Sequence, residues 1–340
     1  MMKRLSELAA LLKDARISGD DAEITSIERD SRRVREGALF VCISGAHVDA
    51  HSFIPNAARA GARAILTERE TVDVPDGITV LHVADLQEAL DVIVPYFYDY
   101  PARAMRVIGI TGTNGKTTTS YLLRAILRHA GKRVGLIGTI QVMMEDEVFP
   151  TANTTPDVIV MQQLLSEMRA RGMDAVVMEV SSHALALGRV AGVEFDTAIF
   201  TNLTQDHLDF HKTMENYAHA KSLLFSQLGN HSKNEKPRVA ILNRDQEYFE
   251  QFAYSTSAEI ISYGFTEEAD IRATEIESNG AMTTFVVTVN GERFPVMIPM
   301  IGLFNVYNVL AAFGVAMVNG ISLRKAIEKI AKFPGVGGRM

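Results

Sequence analysis

The chain has 340 residues, of which 34 are basic and 41 acidic for a net charge of −7, and 47% are hydrophobic. This composition indicates a folded globular protein of two to three domains of about 150 residues each, and it excludes a disordered or collagen-like chain. The acidic balance argues against a general nucleic-acid or anionic-membrane surface, so any phosphate binding is expected to be local.

The region before residue 100 contains short β-like runs separated by helical stretches. The runs are ALFVCI (38 to 43), ARAILT (62 to 67) and ITVLHV (78 to 83), and the helices are predicted near 53 to 60 and 85 to 97. This order predicts a small α/β unit. A proline pushes the residue before it out of the helical region, so the segment Asp99-Tyr100-Pro101-Ala102 predicts a boundary and an N-terminal domain of residues 1–102.

A regular alternation of apolar strands and helices begins at residue 107. Strands are predicted at 107 to 110, 134 to 137, 175 to 180, 197 to 202 and 238 to 243, with helices at 117 to 130, 157 to 171 and 214 to 228. Such strands predict a mainly parallel sheet that helices cover on both faces. A hairpin around Asn290-Gly291 and helices at 304 to 318 and 322 to 332 complete a central domain of residues 103–332, and 333–340 resemble a linker.

The cysteine content and the absence of long apolar runs bear on location. The chain has one cysteine, Cys42, which excludes an internal disulfide and a cysteine-rich metal cluster and fits a reducing compartment. No apolar run approaches the roughly 18 residues that a membrane span needs. We therefore expect a cytoplasmic, monomeric protein that binds neither membrane nor nucleic acid.

The clearest functional motif is a glycine-rich loop between the strand at 107 and an amphipathic helix. It comprises Gly112, Thr113, Asn114, Gly115, Lys116, Thr117 and Thr118. In such a loop, backbone N–H groups close on a phosphate, the lysine reaches the outer phosphates and the next hydroxyl can ligate Mg²⁺. The general pattern would require glycine at position 110, where this chain has Ile110, so the loop is a variant. A glycine-rich turn without a ligand is the alternative.

Polar residues follow several of the predicted strands. Glu179 ends one strand, His207 follows the next, and Asn153-Thr154-Thr155-Pro156 precedes a helix. Ligands gather at the carboxyl ends of parallel strands, so Glu179, His207 and Thr117 are expected to share a site with ATP phosphates and Mg²⁺. Alternatively, Glu179 only caps a helix at 182, the segment 206 to 211 is a solvated loop, or His207 and His211 imitate a zinc pair.

Lys221 lies on the apolar stripe of the helix that begins at Met214. A buried ammonium is costly, so this side chain must reach the surface, lose its proton or be chemically altered.

The set of motifs resembles the Mur ligases. It comprises GTNGKTT (112 to 118), NTTPD (153 to 157), MEVSSHAL (178 to 185), FTNLTQDHLDFH (200 to 211), YAHAKSLLF (217 to 225), GLFNVYNVLAA (302 to 312) and DSRRVREGALFVCISG (30 to 45). The motifs most resemble the branch that adds a diamino acid to UDP-MurNAc-L-Ala-D-Glu. The resemblance implies an ATP-dependent amide ligase of peptidoglycan synthesis that works through an acyl phosphate.

The resemblance also implies a role for each motif residue. Lys116 and the loop amides would neutralise the ATP phosphates, Thr117 and Glu179 would hold one Mg²⁺, and Glu179, His207 and Lys221 would hold a second. The lysine at the position of Lys221 is N-carbamylated in the family, which would explain its apolar setting. Contacts to the UDP-muramoyl dipeptide are implied for Ser31, Asn153, Thr154, Thr155, Ser181 and Arg189, and proximity to the nucleotide for Asn305, Asn308 and Arg339.

This chain departs from the family in three places. The segment Ala46-His47-Val48 matches the family poorly. Leu187 stands where a polar residue is expected, which puts one substrate hydrogen bond in doubt. The family also continues past the PGxxGR segment into a third domain that selects the diamino acid, whereas the sequence here ends at Met340. We therefore expect binding of ATP and the UDP precursor with impaired complete ligation. The rival hypotheses are another ligase of the superfamily, such as MurF, MurD or folylpolyglutamate synthase, and a non-catalytic nucleotide-binding fragment.

Overall fold

The computed structural model describes residues 2–45, 48–228 and 237–336. Its contacts divide the chain into two compact units. The first unit comprises Met1–Pro101, Asp157–Ser166 and Gly188–Val193, and the second comprises Ala102–Pro156, Glu167–Leu187 and Glu194–Met340. The functional domain bounds 1–102, 103–332 and 333–340 stay a prediction.

The first unit is built on a five-stranded sheet with the order β2-β7-β6-β5-β4, in which β4 to β7 are parallel and β2 is antiparallel to β7. A short antiparallel ladder joins β1 to β3. The strands are β1 (Lys3–Arg4), β2 (Arg16–Ser18), β3 (Glu23–Ile24), β4 (Ser26–Glu28), β5 (Ala38–Val41), β6 (Ala62–Thr67) and β7 (Thr79–His82). The helices are α1 (Leu5–Ala9), α2 (Ile54–Arg59) and α3 (Leu86–Phe97), with 3-10 turns at Ala50–Phe53 and Pro101–Ala104.

Local chemistry sets the bounds of α3. The Asp85 carboxylate accepts a hydrogen bond from the N–H of Glu88 at 2.8 Å and caps the N-terminus. At the other end, Asp99 and Tyr100 adopt left-handed φ values of 53° and 44° directly before Pro101. The predicted break after the helix is therefore confirmed, and so are the three predicted strands and two helices to within two residues. The strands β1 to β4 were not predicted because two or three residues carry no periodicity.

The second unit contains an eleven-stranded sheet with the order β11-β10-β9-β12-β8-β13-β14-β15-β16-β17-β18. The strands from β9 to β16 in that order are parallel, and the pairs at both edges are antiparallel. The strands are β8 (Arg106–Thr111), β9 (Val134–Ile137), β10 (Val142–Met144), β11 (Glu147–Phe149), β12 (Ala175–Glu179), β13 (Thr197–Phe200), β14 (Val239–Asn243), β15 (Glu259–Gly264), β16 (Ile271–Ser278), β17 (Thr283–Val289) and β18 (Glu292–Ile298).

The described part of the second unit contains seven complete helices and the end of an eighth. They are α4 (Lys116–His129), α5 (Val158–Ala170), α6 (Ser182–Ala186), α7 (Leu208–His211), α8 (Met214–Ser226), α9 (Phe249–Tyr254), α10 (Leu303–Val318) and α11 (Leu323–Ile330). The first part of α5, up to Ser166, groups with the first unit. The main core lies between the sheet and α4, α10 and α11, and includes Ile108, Leu123 and Phe313.

The predicted α/β class with a mainly parallel sheet and the Asn290-Gly291 hairpin are confirmed. The short α6, α7 and α9 and the strands β10, β11, β15 and β16 were not predicted. The strands β15 and β16 have alternating polar residues, which did not match the continuous apolar pattern of their neighbours. Within the described residues, no helix is both long enough and apolar enough to cross a membrane.

Candidate functional site

The glycine-rich loop lies between β8 and α4, as its spacing predicts. Gly112 and Gly115 have φ values of 143° and 87°, in the region that side-chain-bearing residues rarely adopt. A Cβ at Gly112 would overlap the Thr201 hydroxyl, and one at Gly115 would overlap the Asn308 amide oxygen. Both glycines are therefore required by backbone conformation and by close packing.

Neighbouring strand ends hold the loop in shape. The N–H of Thr113 donates to the Asn202 carbonyl at 2.8 Å, and the N–H of Asn114 donates to the Asn202 side-chain oxygen at 2.9 Å. The Thr201 hydroxyl donates to the Asn114 carbonyl at 2.7 Å. The loop is thus held by the two residues that follow β13.

Two lysine side chains converge on the loop. Lys116 Nζ donates to the carbonyls of Gly112 at 2.7 Å and Thr113 at 2.8 Å, and Lys221 Nζ donates to the same Gly112 carbonyl at 2.9 Å. Lys221 is 1% exposed, so it does not reach the surface. Burial, and secondly the charge of Lys116, lower the pKa of Lys221 well below its usual value.

Glu179 ends β12 beside the start of α4 and is fully buried. Its carboxylate accepts hydrogen bonds from the hydroxyls of Thr117 and Thr139, both at 2.9 Å, and from the N–H of Thr139 at 3.0 Å. Within the described part of the chain, no lysine or arginine forms an ion pair with it. The helix cap that offered an alternative explanation is instead Ser181, which accepts from the N–H of Ala184.

The NTTP segment lies against the same strand end. The hydroxyl oxygens of Thr139 and Thr154 lie 3.1 Å apart, and Thr155 donates to the Glu179 carbonyl at 2.9 Å. The N–H of Ser181 donates to the Thr155 hydroxyl at 3.1 Å, while Asn153 is exposed. The structure therefore brings Thr154, Thr155 and Ser181 next to the Glu179 strand end.

His207 follows β13 with a left-handed φ of 53°. Its Nε2 lies 3.4 Å from an Asp206 carboxylate oxygen, and its ring centroid is 4.9 Å from that of His183. His211 Nε2 lies instead 2.9 Å from the Ser182 hydroxyl. Since the two histidines have different partners, and the described residues contain no group of three His, Cys, Asp or Glu side chains able to hold a metal, the zinc-pair alternative has no support.

The remaining predicted residues lie in other places. Asn308 is buried beside Gly115 and donates to the Asn305 side-chain oxygen at 3.2 Å. Thr118, in the first turn of α4, is half-buried. Ser31 and Arg189 belong to the first unit, and Arg339 lies outside the described residues. Leu187, the departure noted in the sequence, is 42% exposed at the end of α6.

Sequence reasoning missed several residues that shape this site. Thr139 shares the Glu179 carboxylate with Thr117, and Asn202 holds the loop amides. The Tyr217 hydroxyl lies 3.2 Å from Thr113 Oγ1, and its ring lies 4.4 Å from Lys221 Nζ. A signal was available for Asn202, which stands at the end of a strand like Glu179, but none distinguished Tyr217 from an ordinary core aromatic residue.

The donor set fits a hard cation. The buried Glu179 carboxylate, which has no cationic partner among the described residues, and the two hydroxyl oxygens next to it offer the oxygen ligands that Mg²⁺ prefers. The strand, the glycine loop and the lysine at the start of α4 together define a P-loop-type nucleotide-binding α/β protein.

Comparison with known proteins defines the family. The Mur ligase middle domain matches residues 110–316, and the Mur ligase family catalytic domain matches residues 23–98. The chain belongs to the Mur ligase family.

Two curated relatives show how far this similarity extends. The chain is 49% identical over 321 residues to the UDP-N-acetylmuramoyl-L-alanyl-D-glutamate--2,6-diaminopimelate ligase of Bacillus cereus, covering 94% of the chain and 65% of the relative. It is 48% identical over 340 residues to the enzyme of the same name from Bacillus licheniformis, covering 99% and 69%. The chain thus spans about two thirds of the length of these relatives.

Solved structures show the same fold. The structure of a UDP-N-acetylmuramoyl-L-alanyl-D-glutamate--2,6-diaminopimelate ligase matches with a TM-score of 0.82 and 27% identity, covering 100% of this chain and 68% of the other. MurF ligase from Thermotoga maritima in complex with ADP matches with a TM-score of 0.66 at 21% identity, covering 92% and 67%. The second likeness concerns the fold alone.

Proposed function

We propose that this chain contributes the nucleotide and UDP-precursor sites of an ATP-dependent amide ligase of peptidoglycan synthesis. The ligase would add a diamino acid to UDP-MurNAc-L-Ala-D-Glu through an acyl phosphate. The observation that carries the proposal is the buried Glu179 carboxylate, hydrogen-bonded to Thr117 at the start of the helix that follows the glycine loop. We also propose a monomeric, cytoplasmic protein.

The loop supplies the phosphate site. The amides of Thr113 and Asn114 are engaged by Asn202, so the first-turn N–H groups of α4, which have no partner within the helix, would meet the phosphates. Lys116 would exchange its bonds to two loop carbonyls for phosphate oxygens. Asn305, Asn308 and Arg339 would lie near the nucleotide.

Thr117 and Glu179 would hold one Mg²⁺, and Glu179, His207 and Lys221 a second. Bound Mg²⁺ would neutralise negative charge on the phosphates. Lys221 would bind as a carbamate: its neutral amine attacks CO₂, an N–C bond forms, and a proton is released to solvent. The lowered pKa of Lys221 supports this step because the reaction needs the unprotonated amine.

By family resemblance, the muramoyl dipeptide would contact Asn153, Thr154, Thr155, Ser181, Ser31 and Arg189. The D-Glu γ-carboxylate would attack the γ-phosphorus, the bond to ADP would break, and the amine of the diamino acid would then displace phosphate from the acyl carbon. For these residues the task is to position the two reactants, since phosphoryl transfer depends mainly on alignment and charge neutralisation.

Ligand-dependent thermal shifts test the proposal. Stabilisation is expected with Mg²⁺-ATP and with UDP-MurNAc-L-Ala-D-Glu, each by about 2.7 kcal/mol at a ligand concentration of 100 times Kd. Lys116→Ala should lose the response to ATP and keep that to the UDP precursor. A response to folate or to UDP-muramoyl tripeptide in place of the dipeptide would contradict the proposed substrate, and no response to ATP would contradict the nucleotide site.

A further inference from the structure

The buried histidine His211 has no role in the function proposed above. It is 6% exposed, and its Nε2 lies 2.9 Å from the hydroxyl of Ser182, which is itself 1% exposed. His211 is the last residue of α7, and Ser182 is the first residue of α6. The contact therefore joins two short helices that are far apart in sequence, and each side chain shields the other from water.

His207, four residues before His211, is only weakly held by its own side chain. That side chain is 47% exposed; among the described residues its polar contact is Asp206 at 3.4 Å, and its ring centroid lies 4.9 Å from that of His183. The orientation of His207 must therefore be set mainly by its backbone. This backbone is unusual, because His207 and Lys212 both adopt left-handed conformations, with φ of 53° and 72°. The single turn of α7 lies between them.

A four-residue turn with a left-handed residue at each end does not hold its conformation alone. One turn fixes many dihedral angles for few hydrogen bonds, and a left-handed residue costs about 1–2 kcal/mol. Its position must come from contacts with the rest of the unit, and His211 provides the buried one.

His211 connects this turn to both sides of the site. Its N–H donates to the His207 carbonyl at 3.0 Å, so the two residues move together. Its ring centroid lies 5.1 Å from that of Tyr217, whose hydroxyl is 3.2 Å from Thr113 Oγ1 in the phosphate loop. The Ser182 contact fixes the same ring to α6, which begins three residues after Glu179.

We propose that His211 is a positioning residue that, through Ser182, holds His207 in place to ligate Mg²⁺. The inference rests on the proposed function, because it assigns His207 to the metal. It predicts that breaking the contact between His211 and Ser182 weakens the Mg²⁺-dependent part of ATP binding and leaves the part due to the glycine loop and Lys116 unchanged.

The test measures ATP affinity by calorimetry, once with excess Mg²⁺ and once with EDTA. His211→Phe keeps a buried ring without a polar atom, and Ser182→Ala removes the partner. His211→Gln places an amide near the position of Nε2 and is the conservative variant. His219→Phe, at an exposed histidine of α8, is the matched control.

His211→Phe and Ser182→Ala should each reduce the Mg²⁺-induced gain in ATP affinity about tenfold, the usual effect of removing a group that orients a metal ligand. Affinity in EDTA should change less than twofold. The double variant should lose no more than either single variant, since both remove one contact. His211→Gln should recover most of the gain, and His219→Phe should match the wild type.

Other outcomes overturn the inference. It is wrong if folded His211→Phe and Ser182→Ala keep the full Mg²⁺ gain, or if they lose affinity equally with Mg²⁺ and with EDTA, which is the result of general structural damage. If His211→Phe does not fold, Ser182→Ala decides alone. Wild-type binding of ATP without a Mg²⁺ gain would refute the metal role and this inference but not the nucleotide site, whereas no ATP binding under either condition would refute the proposed function itself.

Discussion

The Glu179→Gln substitution distinguishes the contribution of the Glu179 charge to protein stability from its proposed role in binding Mg²⁺. Glutamine has nearly the same shape and can keep three hydrogen bonds, since its oxygen can accept from the N–H of Thr139 and its amide can donate to the hydroxyls of Thr117 and Thr139. What it removes is the negative charge. The substitution therefore tests whether that charge serves the fold or a ligand.

Two opposing effects set the expected change in stability. Hydrogen bonds to a charged group contribute about 1.5–3 kcal/mol each against about 0.5–1.5 for neutral groups, so three bonds lose about 3 kcal/mol in total. Removing a carboxylate that is buried and has no cationic partner in the described part of the chain relieves a desolvation penalty of several kcal/mol. We expect metal-free Glu179→Gln to unfold within about 2 kcal/mol of the wild type. Glu179→Ala, which leaves three donors without an acceptor, should lose about 3 kcal/mol or more.

Mg²⁺-dependent ATP binding, unlike stability, should change strongly. Glu179→Gln is expected to lose the Mg²⁺-dependent gain in ATP affinity while keeping its affinity in EDTA. Chemical unfolding measures the change in stability, and calorimetry with Mg²⁺ and with EDTA measures the change in ATP affinity. Asp174→Asn, at an exposed carboxylate at the other end of β12, is the matched control. It should keep the Mg²⁺ gain, and because it weakens one hydrogen bond from the N–H of Arg133, it should lose at most about 1 kcal/mol of stability. A Glu179→Gln variant with the full Mg²⁺ gain would refute the assignment of Glu179 as a metal ligand.

Three further predictions concern backbone strain and buried charge. Gly115→Ala should abolish ATP binding, because the added Cβ would overlap Asn308. Gly131→Ala is the control: its φ of 85° is close to the 87° of Gly115, but the space around it is open, so it should cost only about 1–2 kcal/mol of stability and keep ATP affinity. Because the pKa of Lys221 is lowered in the folded protein, the unfolded chain binds more protons at pH values between that pKa and 10.5, so the stability of the wild type should rise with pH across this window. Lys221→Met should lack this rise. Parallel pH profiles of the two proteins in urea unfolding would contradict the prediction. Burial raises the pKa of Asp91 to about 6, so the wild type should lose stability as the pH rises from about 4 to 6. Asp91→Asn should therefore be about 1 kcal/mol more stable than the wild type at pH 7. Equal thermal stability of the two proteins at pH 7 would contradict this prediction.

Strong local patterns made most of the central sheet predictable. Three apolar strands, β8, β9 and β12, were predicted to within one residue, because burial on both faces of the sheet leaves them few polar positions. Helix α4 was predicted equally well, because its apolar residues recur at helical spacing. The glycine loop was also predictable, because its left-handed glycines and its lysine must stand at fixed places between a strand and a helix.

Contacts between distant segments could not be predicted in the same way. Nothing in the spacing of His211 shows that its ring meets Ser182, and nothing near Thr139 shows that it shares a carboxylate with Thr117. Lys221 lies between these cases. Its helical spacing predicted burial, but the second lysine on the same Gly112 carbonyl is a property of the folded chain.

We propose that this site transfers the γ-phosphoryl group of ATP to the carboxylate of UDP-MurNAc-L-Ala-D-Glu. Scrambling of ¹⁸O between the bridging and non-bridging positions of the β- and γ-phosphates reports the reversible formation of an acyl phosphate without any amine. We predict scrambling with Mg²⁺ and the UDP dipeptide together, and none when either is left out or in Lys116→Ala. Scrambling without the UDP dipeptide, or its absence from a protein that binds both ligands, would contradict the account.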